Sequence, residues 1–309
     1  MSWSQQMLKI VRQCNSFNQP ESPRALCVPF FIKDQQVGLI IPEIIPKVIS
    51  ETDVFEVVRS KQDPTLIRKI KLTDDFDTVV KRTQTIREIL EGWRKQDVHI
   101  SLRGWRNELY SVKTFYHEAT LLEMERSATS LFGVKQYGCH LNGFCKTSDG
   151  LSMWIGRRAK NKPTFPGKLD NIAAGGLSAG MTVKDCIVKE CAEEASIPEH
   201  LAKEAKPVGS ISYLYHSERG VFPETQFIFD LELPSTFTPQ NADGEVSEFY
   251  LFKIEEVKEK IASGEFKPNC ALVILDFLIR HGYISPDTEP YYLLFLQEIH
   301  STLDFPFSS

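Results

Sequence analysis

Hydrophobic and polar positions along this chain switch repeatedly between a period near four and a period of two. The first 17 residues place Leu8, Val11 and Phe17 at helical spacing, which predicts an opening helix with one face on a core. Two apolar runs within residues 24–45 flank the polar stretch Lys33-Asp34-Gln35-Gln36 and predict a hairpin. Residues 82–95 carry Ile86, Ile89, Leu90 and Trp93 at helical spacing. These elements predict a small N-terminal α/β domain over residues 1–105. A second unit, 106–309, is predicted to open with a helix over 117–132 that turns Leu121, Leu122, Met124 and Ala128 inward. Strand-like runs follow at Gln136–Lys146 and Leu151–Ala159, joined through Thr147-Ser148-Asp149-Gly150, where Asp-Gly is a strong hairpin signal. Further strand patterns lie at Leu169–Leu177, Val208–Tyr215, Thr225–Leu233 and Phe249–Ile254. Helical patterns cover 182–196, Ile254–Ile261 and Cys270–Arg280, with another helix after Tyr292. Strands and helices mixed on this scale predict an α/β or α+β sandwich.

Composition narrows the functional classes. The chain has 309 residues, 42% hydrophobic and 25% charged, with a net charge of −5. That balance argues against a nucleic-acid partner, which calls for a basic face. No apolar run approaches the ~18 residues of a transmembrane helix, so no membrane partner is expected. The seven cysteines include no C-x-x-C pair. Cys186 and Cys191 fall in a helical pattern among apolar residues and read as reduced core thiols of a cytoplasmic protein. The first 20 residues hold Lys9 and Arg12 and no acid, a weak mitochondrial-type signal for which an ordinary helix is the simpler reading.

The chemistry concentrates in Gly175–Ile197. Glu190, Glu193 and Glu194 stand at i, i+3 and i+4 and share an arc about 100° wide on one helix face. Three unpaired carboxylates so placed repel one another, and a hard divalent cation would relieve the repulsion. The helix's apolar stripe is Val183, Ile187, Cys191 and Ala195, so Glu194 borders the buried side. Gly175, Gly176 and Gly180 let the backbone approach a ligand closely before the helix starts. Just upstream, Arg157, Arg158, Lys160, Lys162 and Lys168 reverse the local charge, as a phosphate site requires. Arg157 and Arg158 are neighbours on a strand, so at most one is expected to face a substrate. Glu224 precedes a strand, and the loop Asp243–Glu248 offers Glu245, with Glu248 second, as a further acid.

This segment resembles the Nudix box. Gly175, Glu190, Glu193, Glu194 and Ile197 match, whereas Met181 stands at the first glutamate, Lys189 at the arginine, Cys191 at an aliphatic and Ser196 at the second glycine. The wider runs WIGRRAKNKPTFPGKLDNIAAGG, DGEVSEF, FKPNCALVILDFLIRHGYI and GWRNELYSV resemble a plant and fungal Nudix subgroup with an extra N-terminal domain, similar to the Nudix half of some fungal thiamine pyrophosphokinases. The resemblance implies a Nudix α/β/α sandwich and a hydrolase using Mg²⁺ or Mn²⁺ held by Glu190, Glu193 and Glu194. Glu190 or Glu245 would be the proton acceptor. Arg157, Arg158, Lys160, Lys162, Gly175, Gly176 and Glu224 would bind substrate. It further implies a small-molecule diphosphate substrate, specifically oxidised (oxo- and oxy-) thiamine diphosphate, cleaved to the monophosphate. An isopentenyl diphosphate isomerase would need a cysteine near Asn171-Ile172-Ala173-Ala174, where there is none. A non-catalytic Nudix-fold binding module is the other alternative, and Met181 is its best support. Trp105, Arg106 and Glu108 mark the junction at which residues 1–105 are expected to pack on the second unit and help close the site.

Overall fold

The computed structural model describes residues 1–148 and 150–303. Asp149 of the expected Asp149-Gly150 turn lies outside the described residues. Helix α1 (Trp3–Cys14) starts with a capping box in which Ser2 and Gln5 exchange side-chain and backbone hydrogen bonds. Strands β1 (Val28–Ile32) and β2 (Gln35–Ile40) form the expected hairpin, but its turn is only Lys33-Asp34, with Lys33 at φ 55°. A short helix α2 (Ile45–Ser50), strands β3 (Phe55–Arg59) and β4 (Ile67–Leu72), and helix α3 (Val79–Lys95) complete this part. The sheet runs β2-β1-β4-β3, with β1 and β4 parallel.

The helix expected over 117–132 is not formed. Leu122–Glu125 is a strand, β6, paired antiparallel with β5 (Leu109–Val112), and only Arg126–Ala128 makes a single 3₁₀ turn. Leu122 and Met124 are two apart, so the same residues satisfy a strand's period. A tertiary contact supports the strand: the Glu123 amide donates to Thr83 Oγ1 of α3 at 3.0 Å.

The larger sheet is split. Strand β7 (Gln136–Thr147) runs parallel to β12 (Gly220–Glu232) along one edge. Along the other edge its end pairs with β8 (Gly150–Arg158), whereas its start pairs with β10 (Ala173–Gly176). The end of β8 pairs with β9 (Leu169–Asn171), so β9 and β10 fill the gap where β7 and β8 diverge. Strands β11 (Lys206–Ser217) and β13 (Val246–Lys253) close the two edges.

Helices cover both faces. On one lie α4 (Val183–Ala195) and α5 (Glu199–Ala202), where Cys186, Ile187, Cys191 and Ala195 bury against Cys139, Leu141, Phe229 and Leu231. On the other lie α6 (Ile254–Ser263), α7 (Pro268–Arg280) and α8 (Tyr292–Glu298). Helix α7 is buried from Cys270 through Leu278, as a helix apolar all round must be. The result is an α/β/α sandwich carrying a separate N-terminal sheet. Helix α1 joins the C-terminal helical layer instead of that sheet: Met7, Leu8, Ile10, Val11 and Cys14 share a core with Leu272, Leu275 and Phe295. Phe17, expected on the same helix, lies in the 3₁₀ turn Ser16–Asn18 and enters the other core with Phe30, Trp93 and Phe132.

Candidate functional site

Helix α4 begins with Thr182, whose hydroxyl accepts from the Asp185 amide, and ends with Ser196 in the left-handed conformation at φ 52°. Ser196 therefore makes the turn that a glycine makes more easily. Between these caps the three acids face different partners. The Glu190 carboxylate lies against Gly175: a Cβ there would come within 2.2 Å of its carboxyl carbon. Only glycine leaves that room. Glu194 turns inward and accepts from the Ala174 amide at 2.8 Å. Glu193 is exposed and meets Lys189 Nζ at 2.6 Å, while the same ammonium is 3.2 Å from Glu190. The expectation of three unpaired carboxylates is thus corrected: Lys189 bridges two of them.

Electrostatics distinguishes the acids. Burial pushes the Glu190 carboxyl above its usual value, although Lys189 and Arg126 oppose this. Burial pushes Glu194 well above the carboxylate range, and the charges of Asp170, Glu190 and Glu245 add to that. Among the described residues no lysine or arginine pairs with Glu194. A carboxylate largely withdrawn from water without a cation is costly, so half-buried Glu194 fits a site that a divalent cation would complete.

Glu245 stands close enough for its charge to act on Glu194. Its own burial works to raise its pKa, but Lys162, which pairs with it, and Arg106 and Arg158 hold it below the ordinary value. The basic segment is largely committed within the chain. Arg158 meets Asp170 at 2.7 Å and donates to the Thr164 carbonyl at 2.9 Å. Arg157 donates to Tyr250 Oη at 3.0 Å and to the Gly167 carbonyl at 2.9 Å. Lys168 donates to the Gly264 carbonyl, and Lys160 is exposed. Glu224 lies on β12, where Tyr213 Oη donates to it at 2.6 Å and Gln226 Nε2 at 3.0 Å. His216, Tyr215 and Phe222 pack locally, with the last two rings stacked 4.6 Å apart.

Sequence reasoning missed the contribution of the β5–β6 pair. Arg126 Cζ would be 3.3 Å from a Cβ on Gly176, and Tyr110 Oη only 1.6 Å. Both side chains therefore rest on the glycine next to the one that receives Glu190. Glu108 ties this arrangement to the loop before α4: it pairs with Arg126 at 2.9 Å and accepts from Ser178 Oγ at 2.7 Å. The Ala179 amide adds a bond to the Leu109 carbonyl at 2.8 Å. The one signal in the sequence was Glu108 beside the junction tryptophan.

A second polar group fills the split in the sheet. His140, Asp170 and Cys270 are buried with their ligand atoms within 4.8 Å of one another. Cys270 Sγ donates to Asp170 Oδ1 at 2.7 Å, and His140 Nδ1 is 2.8 Å from Asn171 Oδ1. Burial, with the Lys267 charge, lowers the His140 pKa to about 4, and burial raises that of Cys270. A thiol, a neutral imidazole and an arginine-paired carboxylate make a poor donor set for a hard cation. These residues satisfy each other as an internal polar network.

A mixed, split sheet between helical layers, with a glycine-cradled carboxylate helix at the split, defines the Nudix class of fold, whose hydrolases generally act on phosphoanhydride bonds with a divalent metal. The chain belongs to the Nudix hydrolase family. The NUDIX domain model matches residues 144–270, and a "Domain of unknown function (DUF4743)" model matches residues 6–136. Two Arabidopsis thaliana proteins, "Nudix hydrolase 20, chloroplastic" and "Nudix hydrolase 24, chloroplastic", are each 36% identical to it, over 85% of this chain and 70% of their own length. A solved Caenorhabditis elegans Ap4A hydrolase is 12% identical over 48% of this chain and 99% of its own, with a TM-score of 0.37. Arg126, Tyr110 and Glu108 all fall in the segment matched by the domain of unknown function.

Proposed function

We propose that this protein hydrolyses oxidised thiamine diphosphates, the oxo and oxy forms, to the monophosphate and inorganic phosphate. Glu190, Glu193 and Glu194 are its metal ligands in this reading. The observation that carries the metal-dependent reaction is Glu194, a half-buried carboxylate held by one backbone amide beside the glycine cradle of Glu190. The substrate rests on the resemblance of the long sequence runs described above.

A Mg²⁺ or Mn²⁺ ion bound there would offset charge on the diphosphate oxygens and make a nearby water more acidic. The chain supplies the rest. Gly175 fixes where the Glu190 carboxylate sits, and Lys189 holds Glu190 and Glu193 on one side of the helix. Glu245 or Glu190 takes the proton of the attacking water. Arg126, fixed by Glu108 over Gly176, supplies a cation for the departing phosphate. Arg157, Arg158, Lys162 and Lys168 shape the loop around Glu245, and Lys160 is the one exposed cation of that loop left to meet solvent-side phosphate. Glu224 acts through Tyr213 and Gln226 in shaping the β12 side. A cytoplasmic location belongs to the same proposal, supported by seven free cysteines.

The test is Mg²⁺-dependent phosphate release from a panel of nucleoside, sugar and thiamine diphosphates. Glu194→Gln is expected to lose at least about a hundredfold in kcat while keeping its circular dichroism spectrum, because an amide is a poor ligand for a hard cation. Wild-type turnover in that variant would remove the assignment. A non-catalytic binding module, the alternative that Met181 suggests, would release no phosphate from any member of the panel.

A further inference from the structure

Residues 105–108 link the N-terminal part to β5, and most of this short segment is pinned. The Arg106 amide donates to Glu125 Oε1 at 2.9 Å, and Glu125 is itself buried. Trp105 Nε1 donates to Asn107 Oδ1 at 2.9 Å, and the Arg94 guanidinium lies 5.1 Å from the Trp105 ring centroid. Asn107 takes the left-handed conformation at φ 56°, and Glu108 pairs with Arg126 beside Gly176. The Arg106 side chain is the exception. It is exposed, and among the described residues its guanidinium makes no hydrogen bond, ion pair or ring contact.

This uncommitted cation stands among acids that already have one. Its charge reaches Glu108, two residues on, and Glu245, whose own charge acts on Glu194. Glu108 has Arg126, Glu245 has Lys162 and Asp170 has Arg158. Lys189 serves Glu190 and Glu193. Arg106 is therefore a positive charge in excess of these pairs. A divalent cation on α4 would cancel the three carboxylates net of Lys189, so a diphosphate arriving there brings negative charge that the committed pairs do not meet. An arginine with a fixed backbone and a free planar fork is suited to doubly hydrogen-bonded recognition of phosphate. Arg126 is locked to Glu108, whereas Arg106 is free to close on a ligand.

We propose that Arg106 is a substrate-binding residue whose guanidinium forks onto the oxygens of the diphosphate, so that the linker before β5 supplies a residue of the site. The inference rests on the hydrolase reading and adds which cation grips the diphosphate.

The experiment compares wild type, Arg106→Gln, Arg106→Lys and a control, Arg103→Gln, which alters an exposed arginine of the preceding 3₁₀ turn that pairs with Asp97 at 2.7 Å. KM and kcat are measured on oxothiamine diphosphate. Kd is measured by calorimetry on methylenediphosphonate with Mg²⁺, a diphosphate analogue that cannot be hydrolysed. Arg106→Gln is expected to raise KM and Kd about tenfold, with kcat within about threefold of wild type, because the grip on the diphosphate is the same before and during the reaction. Arg106→Lys is expected in between, since it keeps the charge and loses the fork. The control and all unfolding midpoints should match wild type. Wild-type KM and Kd in Arg106→Gln, or equal losses in Arg103→Gln, would overturn the assignment while diphosphate hydrolysis stands. So would a lowered midpoint in Arg106→Gln, which would give the guanidinium a role in the fold instead. No phosphate release by wild type, together with methylenediphosphonate binding that Arg106→Gln weakens, would overturn the hydrolase reading and leave Arg106 standing. Absence of both would overturn the two together.

Discussion

At the scale of single residues, burial decides more than identity. His140 illustrates it. Its ring is enclosed in the sheet, and the folded protein holds its pKa near 4, against 6.5 for an ordinary histidine. Below pH 6.5 the unfolded chain accepts a proton that the folded chain does not, so the stability this group contributes is full above that value. It is lost progressively as the pH falls toward 4 and amounts to about 3 kcal/mol over the interval. Replacing His140 by Gln is expected to flatten the stability difference between pH 7 and pH 4.5, read from urea unfolding. A slope identical to wild type would assign the acid sensitivity to other groups. The acids of α4 were legible in the sequence because they share one helical turn and a half. Their environments were not. The bridge by Lys189 follows from a side chain adjacent to one acid and four residues before the other, yet spacing alone cannot choose it over solvent. Cations 157–168 carried a clear signal of charge and none of commitment, because the groups that engage them, Asp170, Glu245, Tyr250 and the Gly264 carbonyl, are 12 to 96 residues away.

At the scale of elements, α4 and the glycines before it work as one unit. Gly175→Ala would place a methyl 2.2 Å from the Glu190 carboxyl carbon. The glutamate can swing away, so the fold should survive while the carboxylate moves by an ångström or more. A kcat lower by roughly a hundredfold is expected, with an unfolding midpoint close to wild type. Gly176→Ala should behave differently, because its methyl would meet Tyr110 and displace β5. Loss of midpoint and activity together would distinguish it. Long elements, such as α3 with its helical period and β7 and α7 with their long apolar runs, were readable from the pattern. Residues 117–132 were not, since Leu121, Leu122, Met124 and Ala128 fit a helix, while a four-residue strand needs only Leu122 and Met124. Partners elsewhere, β5 and Thr83, made the choice. Helix α7 has no polar face from Cys270 through Leu278, and the length of its apolar run is what made it legible.

At the scale of the molecule, the N-terminal part is built into the rest. Phe30 and Trp93 of its core lie 5.1 and 6.2 Å from Phe132, and Gly38 is so close to the Phe132 carbonyl that a Cβ would approach it to 2.1 Å. A fragment starting at Asn107 would expose that surface and the layer that α1 covers. It is expected to be insoluble or unfolded, as judged by its lack of a cooperative unfolding transition. Within the full chain, Met7→Ala removes a fully buried side chain and should cost about 2–4 kcal/mol in urea unfolding.

Helix α1 has one further consequence. Its partners are the Lys258 carbonyl, which accepts from Trp3 Nε1 at 2.7 Å, Glu289, which accepts from Ser4 Oγ at 2.9 Å, and the Glu298 carbonyl, which accepts from Asn15 just beyond the helix at 2.7 Å. During synthesis the ribosome releases those partners 255 to 285 residues after the α1 groups that meet them. At 5–20 residues per second the wait is roughly 15 to 60 seconds. For that time Met7, Leu8, Ile10 and Val11 lack the part of their core that α6, α7 and α8 supply. Completion of the fold is thereby a report that the chain has been translated past residue 298.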